Sequence, residues 1–178
     1  NAGHGTATGL SAFEALAPIA DRVKQSGADV LITVDAGRMW RAEEAGLLQP
    51  VKSSVLESRI PAHLRDPNGM WFGFSVRARV ILIDKGKVKT GEITRYEDLA
   101  DPKWKGKLCA RSGSHVYNLS LTASMIAAHG AGQTESWAKG VANSLARPPR
   151  GGDTDQITGV ASGECQIALA NTYYYARL

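Results

Sequence analysis

The second half of the chain alternates between short apolar runs and helix-length segments, and few architectures accept that rhythm. "KLCAR" reads as a strand, "SGSH" as a tight turn and "YNLSLTASMIAAHG" as a helix closed by Gly130. "TESWAKGVANSLA" follows as another helix stopped by "RPPRGGD", then "TDQITGVASG" as a helix ending at Gly163, then "CQIALA" as the last strand. Strands and helices alternating across connections of about 2–6 residues predict an open, largely parallel α/β sheet.

The first half carries the same signals less regularly. "ADVLITV" is a continuous apolar run, which predicts a strand buried on both faces. "DAGRMWRAEEAG" predicts a helix with Asp35 as N-cap and Gly46 as its stop. Within "WFGFSVRARVILID", Arg79–Ile83 predicts a further strand. Thr94-Arg95-Tyr96-Glu97 has a capping-box pattern and opens a short helix that must stop before Pro102. "SAFEALAPIADRVKQSG" predicts a helix in its second half, around Ile19 and Val23, and the glycine-rich first ten residues predict a flexible entry.

Composition narrows the function. The formal net charge is +4, but the positive residues are dispersed and interrupted by carboxylates, as in "RAEEAG" and "RYEDLADPKWKGK". That pattern argues against nucleic-acid binding, which needs a concentrated basic face. No apolar run approaches the roughly 20 residues that span a bilayer. Cys109 and Cys165 lack a CxxC partner or a histidine at zinc spacing. Each lies at or near the start of a strand-like stretch, so a disulfide between sheet neighbours in an oxidising compartment is expected; two separate buried thiols are the alternative.

Ligands of open α/β sheets bind at the carboxyl ends of the strands. Here those ends carry tyrosines: "RSGSHVYN" leads to Tyr117, and "ALANTYYYARL" leads to Tyr173, Tyr174 and Tyr175. If the two strands are neighbours, Tyr117, Tyr173 and Tyr174 converge. Three phenolates would suit and neutralise a hard trivalent cation, because hard ions prefer anionic oxygen. A free phenol has a pKa of about 10, so the metal must displace its protons and binding must weaken in acid. The bland reading, amphipathic rings with hydroxyls in water, stays open on spacing alone. Arg77 and Arg79 alternate in "SVRARV", so one can face a cleft, and Arg177 follows Tyr173 by one helical turn. Either guanidinium, or the Ser112-Gly113-Ser114 turn at a helix start, suits an anion; surface ion pairs are the alternative. The histidines are weaker candidates: His4 lies in the entry, His63 in a loop and His129 beside a helix-ending glycine, while His115 lies near Tyr117 but reads equally as a solvated turn residue; Asp153 and Asp155 read as N-caps. No nucleophile elbow, P-loop or paired catalytic carboxylates occur, so the chain reads as a non-enzyme.

The stretches "ADVLITVDAGRMWRAEEAGLLQPV", "GMWFGFSVRARVI", "YEDLADPKWKGKL", "RSGSHVYN" and "ALANTYYYARL" together resemble the ferric-iron-binding periplasmic proteins of ABC importers, the Fut-type branch in particular. The resemblance implies a class II periplasmic-binding-protein fold: two α/β lobes with open, mostly parallel sheets. Residues 1–75 would be a partial first lobe, 76–84 a hinge or crossing strand, and 85–178 the second lobe. It implies Fe³⁺, with or without a synergistic anion, on Tyr117, Tyr173 and Tyr174. Arg77 and Arg177 would balance charge, and Tyr175 would pack behind the ligands. The implied partner is an ABC membrane permease, the implied location the periplasm. Family members carry a first-lobe strand with a further histidine or tyrosine ligand, and they continue past "YYYARL". The chain therefore reads as truncated at both ends, with His4 a poor substitute ligand and self-association expected through an incomplete first lobe. Three rivals remain at this point: the same fold gripping an anionic organic solute, a non-binding fragment, and an enzyme using tyrosine as general acid or base.

Overall fold

The computed structural model describes Gln25 and residues 27–177, and the chain divides into two compact units, Asn1–Val76 and Arg77–Leu178. The flexible entry, His4 and the helix around Ile19 and Val23 lie outside the described residues.

In the first unit the helix expected after Asp35 is present as α1, Ala36–Glu44. The Asp35 carboxylate accepts the Gly37 N–H at 2.9 Å, and Gly46 ends the helix at φ +63°, a conformation that glycine reaches without steric cost. Helix α2, Ser54–Arg59, is capped by Ser53, whose hydroxyl accepts the Leu56 N–H at 3.4 Å. A tight turn follows, in which the Asp66 carboxylate accepts the N–H groups of Asn68 and Met70 at 2.8 and 3.1 Å. The apolar run "ADVLITV" does not form the expected buried strand: Val30 and Ile32 are 73% and 88% exposed and residues 28–34 carry no ladder. A strand exists only through hydrogen bonds to a neighbour. Among the described residues of this unit the sole β-pairing is the isolated bridge between Arg65 and Phe72.

The second unit contains a three-stranded sheet in the order β1-β3-β2, formed by β1 (Arg79–Ile83), β2 (Leu108–Cys109) and β3 (Ile167–Asn171). Strand β2 pairs parallel with β3, as expected for strands joined through helices. Strand β1 pairs antiparallel with β3, from Arg79 opposite Asn171 to Ile83 opposite Ile167, so the small sheet is mixed rather than largely parallel. Helices α3 (Val116–His129), α4 (Ala131–Asn143) and α5 (Asp153–Ala161) lie between β2 and β3 in sequence, and the single turn α6 (Thr172–Tyr175) follows β3. All five β3 residues are buried, which explains the unbroken apolar run that marked it.

The core gathers Val88, Leu99, Trp104, Leu108, Leu121, Met125, Trp137, Ile167 and Leu169. Each fully buried large side chain contributes about 1.5–3 kcal/mol relative to exposure. Gly140 lets α4 press on the short 3₁₀ segment Tyr96–Ala100: a Cβ there would stand 2.6 Å from the Ala100 Cβ and 3.0 Å from its carbonyl oxygen. The capping box before this segment closes through Asp98 rather than Glu97, its carboxylate accepting the Thr94 N–H at 2.8 Å. Cys109 and Cys165 form the expected disulfide, with a Cα–Cα separation of 5.8 Å and both residues buried. Gly159 presses α5 onto it, since a Cβ would lie 3.0 Å from the Cys165 Sγ. The disulfide thus ties the beginning of β3 to β2, while their far ends lead to the tyrosines.

Candidate functional site

At one end of this sheet β2 runs out through Arg111, β3 ends at Asn171, and β1 begins at Arg79. Residues 112–115 turn the chain into α3, with His115 as its N-cap: the His115 Nδ1 accepts the Tyr117 N–H at 3.3 Å. This places Tyr117 in the first turn of α3. The Thr172 N–H donates to the Ala78 carbonyl at 3.0 Å, starting α6 beside β1 and placing Tyr173 and Tyr174 at the same sheet end.

The tyrosines meet. The Tyr117 and Tyr173 hydroxyls are 3.0 Å apart, and the Tyr173 and Tyr174 rings lie 4.3 Å apart at 32°. Tyr175 is 65% exposed, so it does not pack behind the other rings as expected. Two guanidinium carbons lie near each of two rings: Arg77 and Arg177 at 5.9 and 5.6 Å from the Tyr173 centroid, Arg79 and Arg111 at 5.9 and 5.3 Å from that of Tyr117. Ser112 and Ser114 bond to each other, hydroxyl to hydroxyl at 2.8 Å, in the turn before α3. His129 stands apart at the end of α3, 3.0 Å from Glu97.

Beneath the phenols lies a group that local sequence patterns did not reveal. Asp153 is wholly buried, and it is not an N-cap, a place that Gly152 takes. Its carboxylate accepts from Arg79 at 3.0 Å, from Arg111 at 3.2 Å and from the Asn171 N–H at 2.8 Å. Arg79 also donates to the Asn118 and Asn171 side-chain oxygens, each at 3.0 Å, and Asn118 donates to the Arg111 and Ser112 carbonyls, each at 3.0 Å. Buried ions persist only when paired in this way. Among the described residues, Cys109, Glu164 and Cys165 are the one group of cysteine, histidine and carboxylate side chains close enough together to share a metal, and there the sulfurs are bonded to each other.

Neighbouring phenols do not ionise alike. Burial raises the Tyr117 pKa well above the ordinary phenol value, and its bond to Tyr173 raises it further. Burial also opposes ionisation of Tyr173, but hydrogen bonds from Tyr117, Tyr174 and Asn171, with the nearby Arg77 charge, outweigh it and lower its pKa. The bond to Tyr173 raises Tyr174, helped by burial. Burial raises Tyr96 too. The cluster therefore behaves as one acid whose first proton leaves from Tyr173, with its partners donating to the phenolate. An absorbance titration of the chain is expected to show one phenol ionising below the ordinary value of about 10 and three above it. The lowered group favours folding above that value and loses the effect as pH falls through its folded pKa. The raised groups favour folding below that value and lose the effect as pH rises. Stability should thus decline in alkali, and Tyr173→Phe should remove the early phase; a titration unchanged by Tyr173→Phe would refute this assignment.

The chain is similar to iron uptake protein A1 of Synechocystis sp., at 56% identity over 162 residues, covering 89% of this chain and 45% of that protein. Among solved structures it resembles Trichodesmium FutA (IdiA) in complex with iron and citrate ligands, with a TM-score of 0.84 and 54% identity, covering 90% of this chain and 52% of that one. The ferric iron-binding protein A of Mannheimia haemolytica, in an open conformation, matches with a TM-score of 0.82 and 45% identity, covering 89% and 52%. The chain spans about half the length of these relatives. The shared fold is that of class II periplasmic binding proteins. No helix among the described residues is long and apolar enough to cross a membrane. The bacterial extracellular solute-binding protein family matches residues 25–178, and the chain belongs to that family of solute-binding proteins rather than to an enzyme family.

Proposed function

We propose that this chain is part of the periplasmic binding component of a ferric-iron importer, with Tyr117, Tyr173 and Tyr174 supplying phenolate oxygens to Fe³⁺. The observation that carries the reading is the convergence of the three phenols, two hydroxyls 3.0 Å apart and the third ring stacked alongside, amid guanidinium groups. Hard anionic oxygen suits a hard trivalent cargo ion. Displacement of the phenol protons by the metal makes loading favourable at neutral pH and reversible in acid. The lowered pKa of Tyr173 makes it the first ligand to ionise. Arg77 and Arg177 balance the phenolate charge or, with Ser112 and Ser114, hold a synergistic anion. The relatives named for iron uptake and ferric binding support the cargo. In this reading residues 76–84 form the crossing segment between the lobes, and the loaded protein hands iron to an ABC permease.

A ferric titration followed in the visible region tests the proposal. One metal per chain should bind with a phenolate-to-metal charge-transfer band that fades on acidification. Tyr174→Phe should weaken ferric affinity by at least about 100-fold, because a direct ligand costs more than the outer partners of metal ligands do. Unchanged affinity would remove Tyr174 from the ligand set. The guanidinium cluster also favours a second reading, an anionic organic solute, which would bind without colour.

A further inference from the structure

We infer that Arg111 and Asp153 are positioning residues of the tyrosine site: their buried ion pair, shared with Arg79, fixes the geometry of Tyr117 and Tyr173 for cargo binding. The inference rests on the ferric reading and adds residues to it that the tyrosine pattern does not contain. Each structural element that presents a tyrosine is bonded into this one network. Asp153 sits at the first position of α5, yet its carboxylate fastens the last residue of β3 through the Asn171 N–H at 2.8 Å, two positions before Tyr173. Arg111, on the exit from β2, reaches the same carboxylate at 3.2 Å while its guanidinium carbon lies 5.3 Å from the Tyr117 ring centroid. Asn118, next to Tyr117 on α3, is held between Arg79 on one side and the Arg111 and Ser112 carbonyls on the other.

Burial decides that this geometry is fixed rather than averaged. The side chains of Asp153, Arg79 and Arg111 are 0%, 8% and 14% exposed, so solvent does not screen the attraction as it does on a surface. The network therefore holds the elements that carry the tyrosines in one fixed arrangement.

Arg111→Gln is the variant that separates positioning from folding. Its side chain has a single charged partner among the described residues, and glutamine keeps a donor at part of its length. In the metal-free protein, isotope-labelled tyrosine NMR should show the Tyr117 and Tyr173 ring resonances shifting while the core resonances hold. Ferric affinity should fall by about 10-fold. Asp153→Glu, which keeps the charge, should retain more affinity than Asp153→Asn. Ring resonances of Tyr117 and Tyr173 identical to the parent's in Arg111→Gln would overturn the inference. So would shifted resonances accompanied by parent-like ferric affinity. If the parent protein itself shows no ferric band, the cargo assignment fails, while the NMR comparison still decides whether Arg111 positions the tyrosines.

Discussion

Asp153→Ala is expected to lower the stability of the folded protein by about 3–5 kcal/mol, the usual cost of removing one partner from a buried ionic group. The size follows from what remains behind. Arg79, 8% exposed, would keep bonds to Asn118, Asn171 and the Leu169 carbonyl but lose its one charged partner among the described residues. Arg111, already with a buried Nε that finds no acceptor among the described residues, would lose its charged partner as well. The Asn171 N–H would lose its acceptor at the end of β3. Denaturant unfolding measures the loss, and moderate salt should not reproduce it, because a buried pair is poorly screened. Replacing Arg79, Asp153 and Arg111 together with apolar residues of similar length should cost less than Asp153→Ala alone, since no charge is then stranded. A loss below about 1 kcal/mol would mean that the network behaves like a surface pair.

The sequence made part of this arrangement legible, and the division has physical causes. Helices α1, α3, α4 and α5 announce themselves through caps and stops that act within one turn: Asp35 before α1, Gly130 after α3, Gly163 beyond α5. Strand β3 shows as an apolar run because every one of its residues is buried. The tyrosines were legible as a cluster because two strand ends carried them, and the disulfide because each cysteine began or adjoined a strand. The centre of the ionic network was not legible. Arg79 and Asp153 are 74 positions apart and Arg111 and Asp153 are 42 apart, and nothing local distinguishes an aspartate buried at a helix start from a solvated cap. The antiparallel pairing of β1 was hidden too, because alternation along the chain does not give strand direction. The "ADVLITV" run failed for the opposite reason. Its residues are right for a strand, but strand formation is a property of a pair, and among the described residues no neighbouring strand pairs with it.

Removing the disulfide is the second large effect. In the double variant Cys109→Ala/Cys165→Ala the unfolding free energy should fall by about 4 kcal/mol, from the chain-entropy relation for a loop closed across 56 positions. The loss should be near that figure rather than below it, because the closed loop contains α3, α4 and α5, so the unlinked denatured chain regains freedom over most of the unit. Native packing offers no compensation: Cys109 and Cys165 are buried against Gly159, where two alanines leave the sulfur volume unfilled. Pairing between β2 and β3 extends over only two residue pairs, so the bond is a principal constraint on how those strands lie together. That constraint reaches the tyrosines, since β2 leads to Tyr117 and β3 to Tyr173. On the proposed ferric reading, the double variant should therefore also weaken ferric binding, by more than the change in folded population accounts for. Denaturant unfolding with and without reductant measures the first effect, and a ferric titration far below the unfolding midpoint measures the second. Equal stability of the parent with and without reductant, under conditions where thiol counting shows the bond open, would refute the first. Full ferric affinity in the folded double variant would confine the disulfide to stability and leave the ionic network as what holds the phenols in place.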